Sequence, residues 1–323
     1  FYRTERLEAQ TGNDSMKFNY NGISQFSSIR NTASSSTLDR LGFKSEGTNL
    51  NLRYQNNTII ADSLFGIKYN LSNFDINKYG FNHVTSEKTM GLYQNNNASQ
   101  LAILTDGIYK NIDFTVNTLD NQTSLLNALS GLNLTYFKRA PSQLFDQDAK
   151  SLNQRVAKNV SNSNKDFVTI TYQVIAPPHS QLYVSIPNIS WSDDNNHSLS
   201  ITVNGVTRNQ VTDNTFDFFD LGYFETESMV TIKLSFPGNK AISFDNPSFY
   251  ALDTQNYQIA MDTINERDSK VTTSNNKVFV DYSSKTNASL FFTIPYDKGW
   301  TATINHKKVK IQRAQKGFMK VDV

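Results

Sequence analysis

Phe167-Val168-Thr169-Ile170-Thr171-Tyr172-Gln173-Val174 decides how the middle of this chain folds. Val168, Ile170, Tyr172 and Val174 alternate with Thr and Gln, and an extended strand sends every second side chain to one face. The same half-buried pattern recurs over 181–186, 199–203, 230–236 and 243–252. Asn204-Gly205 lies between two such runs, and both residue types tolerate the positive φ that a two-residue hairpin turn requires. Short strands about 8–12 residues apart, with turns between them and little helical periodicity, predict a β-sandwich or jelly roll over residues 150–254.

Upstream, residues 1–145 mix helix and strand signals. Ser34-Ser35-Ser36 offers N-caps to a helix carrying Leu38 and Leu41 and stopped by Gly42. Ile59 to Leu64 reads as a second helix closed by Gly66, followed by an alternating strand over 67–71. A third helix is expected over Thr123 to Ser130, where Leu125, Leu126 and Leu129 share a face and Gly131 ends it. Downstream, 278–282, 289–294, 300–304 and 309–312 read as strands, punctuated by Pro295 and Gly299. The expected fold class is α+β and multidomain. An N-terminal α/β domain (1–145) precedes two jelly-roll-like β-sandwiches (150–254 and 256–323), the second cut short at its C-terminal end.

Composition bounds the chemistry. A length of 323 residues suits two or three domains. Charged residues at 19% and hydrophobic ones at 38% fit a folded protein, and 22 Phe with 15 Tyr supply cores. The net charge of +2 is scattered and leaves no footprint for nucleic acid. The densest positive stretch, His306-Lys307-Lys308 with Lys310 and Arg313, reads as a solvated hairpin. With no cysteine, disulfides, thiol nucleophiles and Cys-based zinc sites are excluded, and many Gram-positive surface proteins share that avoidance. No apolar run reaches the ~18–20 residues that cross a bilayer. Phe1 follows no initiator Met or signal peptide, and Val323 ends inside a strand, so both ends read as boundaries within a longer chain.

Few motifs carry chemistry. His83, His179, His197 and His306 lie far apart and make no metal-binding spacing. Asp193-Asp194-Asn195-Asn196 lacks the alternation of a calcium loop and reads as a turn. No nucleophile elbow or glycine-rich phosphate loop is present, and no cofactor or metal is expected. Asp217 with Asp220, or Glu225 with Glu227, could form a glycosidase pair, although solvated loop acids are the simpler reading. Trp191 and Trp300, with Tyr54, Tyr79, Tyr93 and Tyr223, could stack sugars, but a sandwich also buries Trp in its core. Arg3, Glu5, Asn13, Asp14, Ser27 and Ser28 form a polar cluster around Phe18 to Tyr20 and are the candidate binding surface, with Trp300 as the further candidate. Turn chemistry at Asn13-Asp14-Ser15 is the competing reading.

Several stretches together resemble a known family. Phe1-Tyr2-Arg3, Asn13-Asp14, Gly22 to Ser28 and Leu41-Gly42 are similar to the opening of the extracytoplasmic region of YfhO-family membrane proteins. Leu64-Phe65-Gly66-Ile67-Lys68-Tyr69 resembles that family's Leu-Leu-Gly-Val-Lys-Tyr segment. Asn121-Gln122 with Leu125-Leu126 and Phe137 is similar to the stretch closing its first subdomain. Leu221-Gly222 and Ile294-Pro295-Tyr296-Asp297-Lys298-Gly299-Trp300 resemble motifs of its sandwich region. Asn305-His306-Lys307 departs from it, standing where a tight Asp-Gly-Lys hairpin is usual.

The resemblance implies a piece of a multi-pass protein on the extracellular face of the bacterial cell membrane, akin to GT-C glycosyltransferases that use polyprenyl-phosphate sugars and decorate lipoteichoic acid. It implies a catalytic acid upstream of Phe1, no catalytic residue in this stretch, and a role in acceptor binding or positioning. The partners implied are lipoteichoic acid or another cell-surface glycopolymer, and the parent's own transmembrane domain. A free-standing cell-wall or glycan-binding module and a secreted glycosidase are the alternatives.

Overall fold

The computed structural model describes residues 1–29, 31–43, 51–54, 57–147, 150–152, 155–158, 167–191, 197–212, 218–238, 241–274 and 276–323. Strands dominate, and the chain divides into two compact units. One joins Phe1–Tyr136 to Gln255–Val323; the other is Phe137–Thr254.

The second unit carries the strands expected from its alternation, in sheets that share one core. Phe167–Ala176 pairs antiparallel with Ser228–Pro237, setting Val168, Ile170, Tyr172 and Val174 opposite Phe236, Leu234, Ile232 and Val230. All eight are buried. These strands lie inside a five-stranded sheet ordered Val206–Thr212, His197–Val203, Ser228–Pro237, Phe167–Ala176, Ser142–Gln147. A four-stranded sheet, Phe218–Phe224, Ser180–Ser185, Ser248–Asp253, Phe137–Arg139, contributes Leu182, Val184, Phe219, Leu221 and Phe249 to the same core. Asn204 and Gly205 have φ of 48° and 89° and close the hairpin between Val203 and Val206. The run at 243–252 is broken into Ile242–Asp245 and Ser248–Asp253 around Asn246-Pro247, because proline has no N–H for the ladder. The unit starts at Phe137 rather than 150, since Phe137–Arg139 and Ser142–Gln147 are strands of its sheets.

The first unit departs from the expected succession of domains. Residues 256–323 do not form a separate sandwich. Ser289–Pro295 pairs with Phe318–Asp322 on one side and with Ala102–Leu104 on the other, so the C-terminal sheet is completed by a strand from the first third of the chain. A second sheet, ordered Arg3–Arg6, Ile67–Ser72, Met90–Asn95, Phe81–Glu87, has its first pair parallel and the others antiparallel. Phe43, Phe65, Phe318, Phe291 and Tyr109 follow one another at ring-centroid distances of 5.3, 5.5, 6.0 and 5.0 Å, so one aromatic run crosses both parts of the unit.

The helices of this unit show their local causes. Ile59–Leu64 is capped by Thr58, whose Oγ1 accepts from Ala61 N at 3.3 Å. Thr32–Arg40 is capped by Asn31 rather than by the serines, which lie within the helix; Asn31 Oδ1 accepts from Ser34 N at 3.1 Å. Thr118–Ser130 starts five residues before Thr123 because Asn117 Oδ1 accepts from Leu119 N and Asp120 N. Gly42, Gly66 and Gly131 all take positive φ at the stops expected of them. Arg267 donates from Nη1 to Leu104 O and Leu129 O, both at 2.6 Å, and from Nη2 to Ser130 O, neutralising the carbonyl end of Thr118–Ser130. Helix Thr254–Asn265 was not anticipated, although Tyr257, Ala260, Met261 and Ile264 sit at helical spacing and all are buried.

Gly317 brings the C-terminal hairpin against helix Thr32–Arg40 so closely that a Cβ there would lie 2.5 Å from Ser34 Cα. Gly317→Ala is therefore expected to cost about 1–3 kcal/mol through overpacking, and Phe318→Ala about 3–5 kcal/mol through lost core volume. Urea unfolding of the two variants checks both values. Unchanged unfolding of residues 1–136 in Phe318→Ala, read by hydrogen exchange, would mean that the hairpin is not part of that core.

Candidate functional site

The polar cluster near the start is spent on holding its own fold. Arg3 donates from Nη1 to Phe65 O at 2.5 Å and Thr293 Oγ1 at 3.1 Å, and from Nη2 to Thr293 O at 2.7 Å. Burial pulls its guanidinium down to about 10, with the charge of Glu5 opposing the shift. Glu5 accepts from Ile23 N, from Ser24 N at 3.1 Å and from Ser24 Oγ at 2.9 Å. Asp14 accepts from Gln10 N, Thr11 N and Thr11 Oγ1 at 2.7–2.8 Å. Asn13 clasps the backbone of Phe26, accepting from its N at 2.8 Å and donating to its O at 3.1 Å. Ser27 closes a small turn with Ile29, and Ser28 is exposed. Asn13, Asp14 and Glu5 thus organise one folded-back stretch, and Arg3 staples its strand to Ser289–Pro295.

Behind that stretch lies a buried network. Lys78 forms an ion pair with Asp62, both side chains almost fully enclosed. Its ammonium also donates to Tyr54 Oη and Asn70 Oδ1, each at 3.3 Å. Burial raises the Asp62 carboxyl, opposed by Lys78, and raises the Tyr54 phenol well above its ordinary value. Burial also lifts Glu5 to about 7 against the pull of its three donors. Asp62 Oδ1 has no hydrogen-bond partner among the described residues, and removing either member of this buried pair would strand a charge.

Trp300 has a different setting. It is half-buried and lines a groove of about 650 Å³ formed wholly within residues 276–321. Leu290, Phe292 and Ile294 supply the floor from strand Ser289–Pro295, with Met319 and Val321 beside them. One wall is the hairpin strand Lys277–Tyr282, whose Phe279, Asp281 and Tyr282 line the groove. The other includes Ala302–Ile304, paired with Lys307–Val309. The loop Asp297-Lys298-Gly299-Trp300 sets the indole: Trp300 N donates to Asp297 O at 3.3 Å, and Gly299 N to Asp297 Oδ1 at 2.7 Å. The expected departure at Asn305-His306 keeps a two-residue hairpin, since both residues take positive φ and Ile304 still pairs with Lys307. Lys307, Lys308 and Lys310 stand exposed on this hairpin and its exit.

Trp191, Asp220 and Glu225 have structural partners. Trp191 is buried and donates to Thr212 Oγ1 at 3.2 Å. Asp220 is buried, accepting from Gln181 Nε2 at 2.7 Å and Gly222 N at 3.0 Å. Asp217 and residues 193–196 lie outside the described residues. Glu225 accepts from Tyr223 Oη and approaches His179 Nδ1 at 3.3 Å. Among the described residues, no three His, Asp or Glu side chains gather as a metal-binding group. No helix among them is long and apolar enough to cross a membrane.

The entire chain, residues 1–323, matches the family described as "Bacterial membrane protein YfhO". It belongs to the YfhO family. No curated protein matches it. Solved structures similar to parts of this YfhO-family chain include a family two carbohydrate esterase from Cellvibrio japonicus, at 13% identity and a TM-score of 0.20 over 35% of this chain and 34% of that one. A ruminal GH26 endo-beta-1,4-mannanase shows 18% identity and a TM-score of 0.22, over 36% of this chain and 26% of that one. The Schizosaccharomyces pombe Cnp3 cupin domain shows 13% identity and a TM-score of 0.15, over 35% of this chain and 72% of that one. The chain thus spans about a third and about a quarter of the first two. Likenesses this distant carry no argument about what the YfhO-family chain does.

The structure therefore separates the seven candidates of the sequence. Arg3, Glu5, Asn13 and Asp14 are turned to the fold, and Trp300 is turned to a groove. Glu5 gives the former role a pH signature. A carboxyl raised from 4.5 to about 7 by folding adds stability that is full below about pH 4.5 and lost as pH rises through about 7. The expected contribution to the slope is at most about 1.4 kcal/mol per pH unit in that window. Chemical denaturation between pH 4.5 and 8 should show Glu5→Gln with a flatter profile than the wild type. An identical profile would mean that Glu5 is ionised throughout in the folded chain.

Proposed function

We propose that this YfhO-family chain is the extracellular, glycopolymer-engaging region of a multi-pass membrane glycosyltransferase, which holds an acceptor such as lipoteichoic acid while the sugar transfer is catalysed elsewhere in the parent protein. The observation that carries the reading is the groove at Trp300. An indole and the rings of Phe279 and Tyr282 line it beside Asn276, Thr301, Thr303 and Asn305, and a lysine-bearing hairpin forms one wall. Pyranose faces stack on aromatic rings while amides and hydroxyls take up their hydroxyl groups. Lys307, Lys308 and Lys310 add the charge that a phosphate-linked polymer calls for. Membership of a membrane protein family supports a cell-surface setting for that polymer.

A non-catalytic wall-binding module would use the same groove, and the two readings part on what the parent protein does. No observation favours a glycosidase: Asp220, one half of the candidate pair, is tied to Gln181 and Gly222.

The test is a titration of the chain with lipoteichoic acid followed by tryptophan fluorescence. Trp191 is buried and Trp300 only half so, which assigns a ligand-induced change to the groove. Trp300→Ala is expected to weaken binding by about tenfold, near 1.4 kcal/mol, and Lys307→Glu with Lys308→Glu to weaken it while flattening its salt dependence. Binding unaffected by either change would remove the groove from the account. Deleting residues 1–323 from the parent gene should also abolish the sugar on purified lipoteichoic acid, measured by NMR with membrane delivery verified. Undiminished sugar would favour the wall-binding reading.

A further inference from the structure

The loop that carries Trp300 is held at its root as well as at its tip. Tyr296 N donates to Gly317 O at 2.9 Å, and Tyr296 O accepts from Asn31 Nδ2 at 2.9 Å. The Arg313 guanidinium lies over the Tyr296 ring, 4.5 Å from its centroid. Further on, Asp297 O accepts from Trp300 N and Asp297 Oδ1 from Gly299 N, so residues 297–300 close into one turn. A Cβ on Gly299 would lie 3.1 Å from Asp297 Oδ1, and glycine leaves the carboxylate its room.

The Tyr296 carbonyl belongs to the planar peptide unit that leads into Asp297. Fixing its oxygen therefore fixes the direction in which the turn, with the indole at its end, leaves strand Ser289–Pro295. The donor has a second task. Asn31 caps helix Thr32–Arg40, its Oδ1 accepting from Ser34 N at 3.1 Å. An amide has an acceptor end and a donor end, and here the first serves the helix and the second the loop. The same helix start meets the C-terminal hairpin at Gly317, where a Cβ would lie 2.5 Å from Ser34 Cα. Two contacts from one helix end thus converge on Tyr296.

We propose that Asn31 and Asp297 are positioning residues of the groove, Asn31 orienting the root of the 296–300 loop and Asp297 closing its turn, so that the Trp300 indole is set before a ligand arrives. A contact ring already held in the free protein lowers the ordering cost of binding. The proposal rests on the reading of the groove as a ligand site, and it adds to that site two residues outside its lining.

The experiment labels the chain with fluorotryptophan, whose two fluorine resonances report Trp191 and Trp300 separately, with Trp300→Phe to assign them. Asn31→Asp keeps the cap, since Asp serves as well as Asn there and its charge suits a helix start, but it removes the donor to Tyr296. Asp297→Ala removes the acceptor for Gly299 N, and Asp297→Asn keeps one. Asn31→Asp and Asp297→Ala should each shift and broaden the Trp300 resonance and leave that of Trp191 unchanged. Each should weaken lipoteichoic acid binding about fivefold, the order of one hydrogen bond's net worth. Asp297→Asn should behave like the wild type in both measurements. A capping role alone predicts no change in Asn31→Asp, and circular dichroism with the urea midpoint checks that the fold is kept. An unchanged Trp300 resonance in both Asn31→Asp and Asp297→Ala, or a broadened one with undiminished binding, would overturn the proposal. Lipoteichoic acid bound by no form of the chain would count against the function proposed for the groove, and the fluorine spectra would still decide the positioning.

Discussion

The pairing of Ser289–Pro295 with Ala102–Leu104 is the constraint on which the first unit depends. It joins residues nearly two hundred positions apart, so the entropy of closing that loop must be recovered by what the pairing brings together. Part of the return is the aromatic run from Phe43 through Phe65, Phe318 and Phe291 to Tyr109, which no part of the unit could bury alone. Part is polar. Gln315 accepts from Tyr109 Oη and Ile112 N through Oε1, donates from Nε2 to Ile112 O, and takes Thr37 Oγ1 on its own carbonyl. Arg3 adds the link to Thr293. Buried polar groups satisfied across such distances specify one arrangement of the chain.

That arrangement sets the floor of the groove. Leu290 and Phe292 sit on the strand that pairs with Ala102–Leu104, and Ala288 and Leu290 share an apolar cluster with Leu104. The walls come from hairpins on either side in sequence, and the loop ending at Trp300 leaves the same central strand. A change in the packing of residues 101–104 would therefore reach the groove through Leu290 and Phe292.

What was legible in the sequence follows the range of the forces involved. The sandwich strands could be read because period-2 burial is local, and the Asn204-Gly205 turn because positive φ is a property of two residues. Helix ends marked by Gly42, Gly66 and Gly131 could be read for the same reason. Helix Thr254–Asn265 was readable from Tyr257, Ala260, Met261 and Ile264, but it lies where the second sandwich was expected to begin. The partner of Ser289–Pro295 was not readable, since its alternation shows a strand but not which distant strand completes the sheet. Among the site candidates, Asp14 and Asn13 carried the turn signal that explains them. The burial of Arg3 and Glu5 carried none, because their partners Thr293 and Ile23 are set by the fold. Trp300 was a lead on residue type alone, and its groove appears only once two hairpins and the sheet are assembled.

The most direct test of this architecture uses the absence of cysteine in the chain. Ala102 and Phe292 face each other across the pairing. Thr293 N donates to Leu101 O at 3.1 Å and Thr105 N to Ser289 O at 2.8 Å, which makes the 102–292 pair a non-hydrogen-bonded one with its side chains close. Cysteines at these two positions meet the spacing a disulfide needs. Mild oxidation of the Ala102→Cys, Phe292→Cys double variant should give one intramolecular cross-link, seen as faster migration in non-reducing gels and the loss of both free thiols. Two thiols that stay free, at protein concentrations where the fold is intact, would contradict a unit built from both ends of the chain and the groove that rests on it.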